Sequence, residues 1–277
     1  MSSAGANHST TMTDGLLTAA AGLTGVAPGF SGGALRVGVD LGTASCVLVA
    51  LDAGTDEPVW VDSEPSGALR DGVVVDFAAA TATVRRLRTR FEAAFGSTVD
   101  NAAVGYPPCI PVGDARACGY VCEAAGFLDV VLVDEVTAAQ RTLAVRDGVV
   151  VDVGGGSTGV GVFRGGRLVA LDDRPGGGHH LDLILAGALG LSISDAEETK
   201  RLRPTEALPI LVPGLQRVAE SVRAMTGAAA DLPLHLAGGA LMIPGAGDVL
   251  AKYLERKVMT YPHALLITPI GIARSAP

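Results

Sequence analysis

The sequence predicts an α/β protein built from two similar lobes, and three observations carry that prediction. One strand–loop–strand unit occurs twice, near Asp40 and near Asp152. Segments of helical periodicity separate the strands, as mixed α/β layers require. The chain has 277 residues and is 48% hydrophobic but only 4% aromatic, so its core is built of Val, Leu and Ala. That length suits one large domain or two smaller ones.

Met1 to about Gly33 is rich in Ser, Thr, Ala and Gly. No Lys or Arg precedes its apolar part, so a secretory signal is rejected. Leu16, Leu17, Ala20 and Leu23 fit one side of a short helix capped by Thr13 or Asp14. The segment 1–33 reads as a flexible leader, or as an amphipathic tether to a larger assembly. The folded body then divides at 34–145 and 146–277. No apolar run is long enough for a membrane span.

"RVGVDLGTASCVLVALDAG" opens the body with a strand, the loop Asp40-Leu41-Gly42-Thr43 and a second strand. "VRRLRTRFE" follows as a helix, with Val84, Leu87, Phe91 and Ala94 on its apolar stripe. Its arginines form a solvated face or a docking patch for an acidic partner. A net charge of −8 argues against nucleic acid as a partner. The four cysteines form no CxxC pair and read as small buried thiols of a reducing cytoplasm.

The second unit is "VVVDVGGGSTGVGVF", Val149 to Phe163. Gly154-x-Gly156-x-x-Gly159 matches a dinucleotide-binding fingerprint, but that fingerprint needs a helix directly after its glycines. Here Val160 and Val162 alternate like a strand and lead into a Gly165-Gly166 turn. No GxxxxGK[ST] loop exists either. Two facing hairpins can nevertheless hold phosphates. Glycines let main-chain N–H groups approach the oxygens, and Thr43 and Ser157 add hydroxyl donors. Asp40 and Asp152, at equivalent strand ends, suit a magnesium ion held through its waters.

Taken together, these motifs resemble the actin-like ATPase superfamily. "VGVDLGTAS" and "VDVGGGSTG" resemble its two phosphate motifs, and "AVGYPPCIP" a strand ahead of the first connecting helix. "LVDEVTAAQ" resembles the Glu-Pro-Thr-Ala-Ala segment. "PGGGHHLDLILA" resembles the Gly-Gly-x-x-x-Asp loop, "AEETKRL" the adenosine-clamping helix, and "LHLAGGALMIPG" the adenosine motif. "LITPIGIAR" fits a final helix packing back on the first lobe. Within the superfamily, "LRDGVVVDF", "HALLITPIGIA" and the paired His179-His180 resemble the ethanolamine-utilization EutJ family.

The resemblance implies two ribonuclease-H-like lobes with a nucleotide cleft between them, and ATP with Mg2+ as cofactors. It implies catalytic roles for Glu135, Asp152 and Asp40. Phosphate contacts fall to Gly42, Thr43, Gly154, Gly155, Gly156, Ser157, Gly177 and Gly178. Glu197 and Lys200 would face ribose and base, although their spacing also fits a plain exposed ion pair. Gly238 and Gly239 would form the adenine floor. Glu135 also fits an ordinary first-turn helix acid.

There are departures from the superfamily pattern. Val136 replaces the chaperones' relay proline, and Met242 replaces an adenine-stacking arginine. No catalytic lysine is visible, which leaves Arg70 or Arg85 as stand-ins. The implied function is a slow cytoplasmic ATPase of chaperone type acting on a protein client or microcompartment component. The alternatives are a cytoskeletal homologue of MreB or FtsA, or a non-catalytic nucleotide-binding scaffold.

Overall fold

The computed structural model describes residues 3–24, 32–70, 72–227 and 229–277, with side chains from residue 11 onward. Helix α1 (Ser3–Ala21) comes first. The first sheet is then laid down by β1 (Leu35–Leu41), β2 (Ser45–Asp52) and β3 (Pro58–Pro65). A ribbon of β4 (Leu69–Arg70) and β5 (Val73–Val74) leads to α2 (Phe77–Phe95). β6 (Asn101–Tyr106), α3 (Val112–Ala124), β7 (Asp129–Asp134) and α4 (Glu135–Leu143) follow.

The second sheet begins with β8 (Gly148–Val153), β9 (Ser157–Arg164) and β10 (Arg167–Pro175). Three helices come next, α5 (Gly178–Leu189), α6 (Ile193–Leu202) and α7 (Pro204–Thr226). β11 (Leu234–Ala237), α8 (Ala246–Leu254), β12 (Val258–Met259), a 3-10 turn (Ala264–Leu266) and α9 (Ile267–Ala273) complete the chain.

The two sheets share one plan. Their strand orders are β3-β2-β1-β6-β7 and β10-β9-β8-β11-β12. In each, the opening hairpins are antiparallel and the last two strands parallel. β9 runs straight from Ser157 through Gly159 into a turn where Gly165 and Gly166 have φ of 58° and 79°. That is the backbone a tight hairpin with right-handed twist demands, and it leaves no place for a Rossmann helix.

Each sheet has its own core. Val37, Val39, Leu87 and Phe91 centre one; Val149, Val151, Leu211 and Leu215 centre the other. A third core joins the two sheets, combining Val47 and Val49 of β2, Val150 of β8 and Phe163 of β9 with α4 and α9. α9 lies at backbone contact on its neighbours. A Cβ on Gly271 would sit 1.7 Å from the Ala138 carbonyl oxygen, and one on Gly38 would sit 2.3 Å from the Ala273 nitrogen. No other residue type fits either crossing.

The N-terminal segment differs from expectation. α1 begins upstream of Thr13 and Asp14, so neither caps it. Leu17 and Ala20 are fully buried in the third core, and Thr24 bridges to Val61 of β3. The apolar face expected to be loose, or free for another assembly, is covered by the chain's own sheet. The hydrophobic effect accounts for this, because each buried leucine is worth about 2 kcal/mol. The expected linker lies mostly at 25–31, outside the described residues.

Arg85, Arg86 and Arg90 lie on an exposed face of α2, as the solvated-face reading expects, and they engage the chain's own groups. Arg86 and Arg90 grip Glu64, and Arg90 also binds Asp62 at 2.6 Å. Arg85 donates to the Ala124 carbonyl, and Arg88 pairs with Glu92 over the Phe127 ring. Cys46, Cys118 and Cys122 are buried as expected, while Cys109 is exposed at φ 64°. Among the described residues no helix is long and apolar enough to cross a membrane.

Candidate functional site

A cavity of about 960 Å³ opens between the two sheets and is lined by both strand–loop–strand units. Asp40 and Asp152 each lie one residue before the end of their strands, β1 and β8. The loops that follow touch across the cleft. A Cβ on Gly155 would lie 3.2 Å from the Ala44 nitrogen and 3.3 Å from the Thr43 Cβ. Gly42, Thr43, Gly154, Gly156 and Ser157 line the same space.

Glu135 joins the two aspartates. Asp134 caps α4 by accepting a hydrogen bond from the Thr137 amide at 2.8 Å, which makes Glu135 the first residue of the helix. It is therefore a first-turn acid and also a wall of the cleft. Three carboxylates thus face one cleft, Asp152 buried and Asp40 and Glu135 half-buried, and burial disfavours their charged forms. Burial first, then the Asp152 charge, pushes Asp40 up to about 7. Burial pushes Asp152 up to about 6, opposed by a hydrogen bond from Thr268. Glu135 is driven well above the usual range by burial, then by Asp40 and Asp152.

The third glycine of the fingerprint has a packing role. A Cβ on Gly159 would meet Val136 at 2.9 Å and Pro108 at 3.1 Å. Likewise a Cβ on Gly161 would sit 2.4 Å from Val136. The start of α4 therefore docks on the bare face of β9, directly behind the second loop.

The Gly-Gly-x-x-x-Asp loop buttresses that second loop from behind. The amides of Gly176, Gly178 and His179 donate to the carbonyls of Gly156, Gly154 and Gly155 at 2.8–2.9 Å. A Cβ on Gly177 would sit 2.3 Å from the Gly154 oxygen. Gly177 is buried and Gly178 reaches the cleft, but the Gly178 amide is already used. With those three carbonyls occupied and the Gly154 amide donating to the Ser157 carbonyl at 3.1 Å, the remaining loop amides are the ones that can serve the cleft.

Lys200 lines the cleft with Glu197, but its ammonium is engaged within the protein. Its Nζ lies 2.6 Å from Asp182 Oδ1 and donates to the Gly178 carbonyl at 3.2 Å. It ties α6 to α5, rather than pairing with Glu197 or standing free for a ribose. Glu197 is exposed and lines the cleft. Gly238 is also required by packing. With φ at 82°, a Cβ there would lie 2.3 Å from the Val153 carbonyl oxygen and 2.5 Å from Asp152 Oδ1. Gly239 is exposed beside Leu265 and supplies the open floor. Met242 and Leu265 add apolar wall.

Neither Arg70 nor Arg85 lines the cleft; His179 and Arg201 do. The residue that sequence reasoning missed is Thr268. It is 4% exposed, and its Oγ1 donates to Asp152 Oδ2 at 2.6 Å. "LITPIGIAR" was read only as a packing helix, and nothing in its spacing points to a carboxylate 116 positions away.

Among the described residues no group of three His, Cys, Asp or Glu side chains is placed to grip a metal directly. The donor set does fit a hydrated divalent ion. Asp40 and Asp152 are oxygen donors in a cleft whose one strongly held ammonium, Lys200, is already paired.

A doubled five-stranded α/β plan with paired loops over one cleft defines the actin-like ATPase fold. MreB5 of Spiroplasma citri bound to ADP superposes at a TM-score of 0.67 over 86% of this chain and 94% of its own, with 15% identity. The sequence profile of the MreB/Mbl protein family matches residues 64–186. More specifically, the ethanolamine utilization protein EutJ of Salmonella typhimurium is 35% identical over 260 residues, covering 94% of this chain and 92% of that protein. The crystal structure of EutJ from Carboxydothermus hydrogenoformans superposes at a TM-score of 0.89 with 34% identity, covering 95% and 98%. The chain belongs to the EutJ family.

Proposed function

We propose that the cleft binds ATP with magnesium and hydrolyses its γ-phosphate slowly. The observation that supports this reading best is the meeting of two backbone loops and three carboxylates in one cavity, without a catalytic lysine. Loop amides with Thr43 and Ser157 would cradle phosphate oxygens. Asp40 and Asp152 would hold the waters of the metal, which supplies charge neutralisation on the phosphates when bound. Glu135, at the start of α4 and in the wall of the cleft, would orient the attacking water. Glu197, Gly239, Met242 and Leu265 would border the nucleoside.

ATP spanning both loops would favour lobe closure, and a client would read that change. In the ethanolamine-utilization setting of the family, that client would be a pathway enzyme or microcompartment component needing assembly or reactivation. The match to the MreB/Mbl profile over 64–186 favours filament formation as a second reading. Sedimentation with and without ATP separates the two.

The direct test is calorimetry of ATP with and without Mg2+. Wild type should bind with a magnesium-dependent gain, and Asp40→Ala and Asp152→Ala should each remove most of it. Equal affinity in all three proteins would defeat the assignment. Wild-type binding without turnover, and no change in Glu135→Ala, would leave a scaffold.

A further inference from the structure

The Asp152 carboxylate is held on both sides. Thr268 Oγ1 donates to Oδ2 at 2.6 Å, and Oδ1 rests against the bare Cα of Gly238. Asp40, its counterpart, accepts no such hydrogen bond among the described residues. The two aspartates are equivalent in the repeated hairpin, so this asymmetry arises outside the repeat, from the C-terminal helix.

The segment that carries Thr268 reaches the glycine floor, Asp152 and the helix that begins with Glu135. One turn earlier, Leu265 borders Gly239, and the Ala264 carbonyl accepts from the Gly238 amide at 3.2 Å. The Ile267 carbonyl accepts from Thr142 Oγ1 of α4 at 2.7 Å, buried. Gly271 then presses on the backbone of Ala138, one turn along α4 from Glu135. The 3-10 turn and α9 together therefore border the open floor, grip one aspartate and are locked to the helix that begins with Glu135. A polar side chain 4% exposed, whose hydroxyl donates to a carboxylate rather than to its own helix, is committed to that geometry.

We propose that Thr268 is a positioning residue, holding Asp152 in the orientation its metal-directed role needs and registering it against the Glu135 helix. This rests on the proposed Mg-ATP reading. A hydrogen bond from a neutral donor to a charged acceptor is worth enough to fix one rotamer of a carboxylate. Valine has the shape of threonine without the hydroxyl, and serine has the hydroxyl without the methyl.

The test is a calorimetric comparison of wild type, Thr268→Val and Thr268→Ser, each titrated with ATP in EDTA and in Mg2+. The expected result is that Thr268→Val binds ATP in EDTA like wild type. It should lose about ten- to hundred-fold of the magnesium-dependent gain. Thr268→Ser should recover most of that loss. An unchanged magnesium increment in Thr268→Val, or equal weakening with and without the metal, would overturn the positioning role. Failure of Thr268→Ser to recover would do the same, by assigning the effect to packing. If wild type shows no magnesium increment, the Mg-ATP reading fails and this role with it; a wild-type increment that Thr268→Val retains overturns this role alone.

Discussion

Gly155 and Ala44 hold the two halves of the site together. The one belongs to the second loop and the other to the first, and no Cβ fits comfortably between them, since it would lie 3.2 Å from the Ala44 nitrogen. This contact turns two distant sequence motifs into one cleft wall. A larger side chain here acts as a wedge. Gly155→Val should weaken Mg-ATP binding by about tenfold or more while costing about 1–3 kcal/mol of stability. Calorimetry and urea denaturation measure the two effects separately; unchanged binding would show that the loops need not touch.

The crowded carboxylates set the pH dependence of the metal-free protein. Asp40 has a folded pKa of about 7 against 3.8 for the free side chain. Between those values the folded state binds more protons than the unfolded state, so stability falls as pH rises and levels off above the folded pKa. The protein without nucleotide should therefore lose on the order of a few kcal/mol between about pH 4 and pH 7. Asp40→Asn should flatten that slope and be the more stable protein at pH 8. Urea midpoints measured across this range give the answer, and a rise in stability with pH would contradict the buried-acid picture.

Lys200 and Asp182 are 14% and 7% exposed and pair at 2.6 Å. Removing one partner strands the other in low dielectric. Lys200→Met should cost about 3–5 kcal/mol, and Lys200→Met with Asp182→Leu should restore much of it. A free ribose-binding lysine predicts the opposite, with weaker nucleotide binding and little change in melting. Denaturation of the single and double variants decides between them.

Leu17 is fully buried, although it lies in the segment read from sequence as a leader. Leu17→Ala should destabilise the protein by about 2–4 kcal/mol. A tether free in solution would tolerate the change, and a chemical melt with less than about 0.5 kcal/mol of loss would restore that view.

The repeated hairpins were legible because their chemistry is local. Asp, Gly and hydroxyl residues at strand ends are read directly from Asp40-Leu41-Gly42-Thr43 and Asp152-Val153-Gly154. The alternation after Gly159 excluded a Rossmann helix, and β9 is a strand. Glu135 was legible through its motif. The ion-pair partner of Lys200 was not legible, because spacing to Glu197 is local whereas Asp182 is supplied by a different helix. The leader was misread because Leu16, Leu17 and Ala20 show an apolar face without showing what covers it.

By itself the sequence determined the α/β class, the doubled strand–loop–strand plan and which residues line the cleft loops, because backbone-level motifs follow from neighbouring residues. The tertiary structure decided which glycines serve packing, which cation is already paired and which hydroxyl holds Asp152. Those outcomes depend on groups far apart in the chain meeting at contact distance, where excluded volume and the loss of solvent screening set their energy.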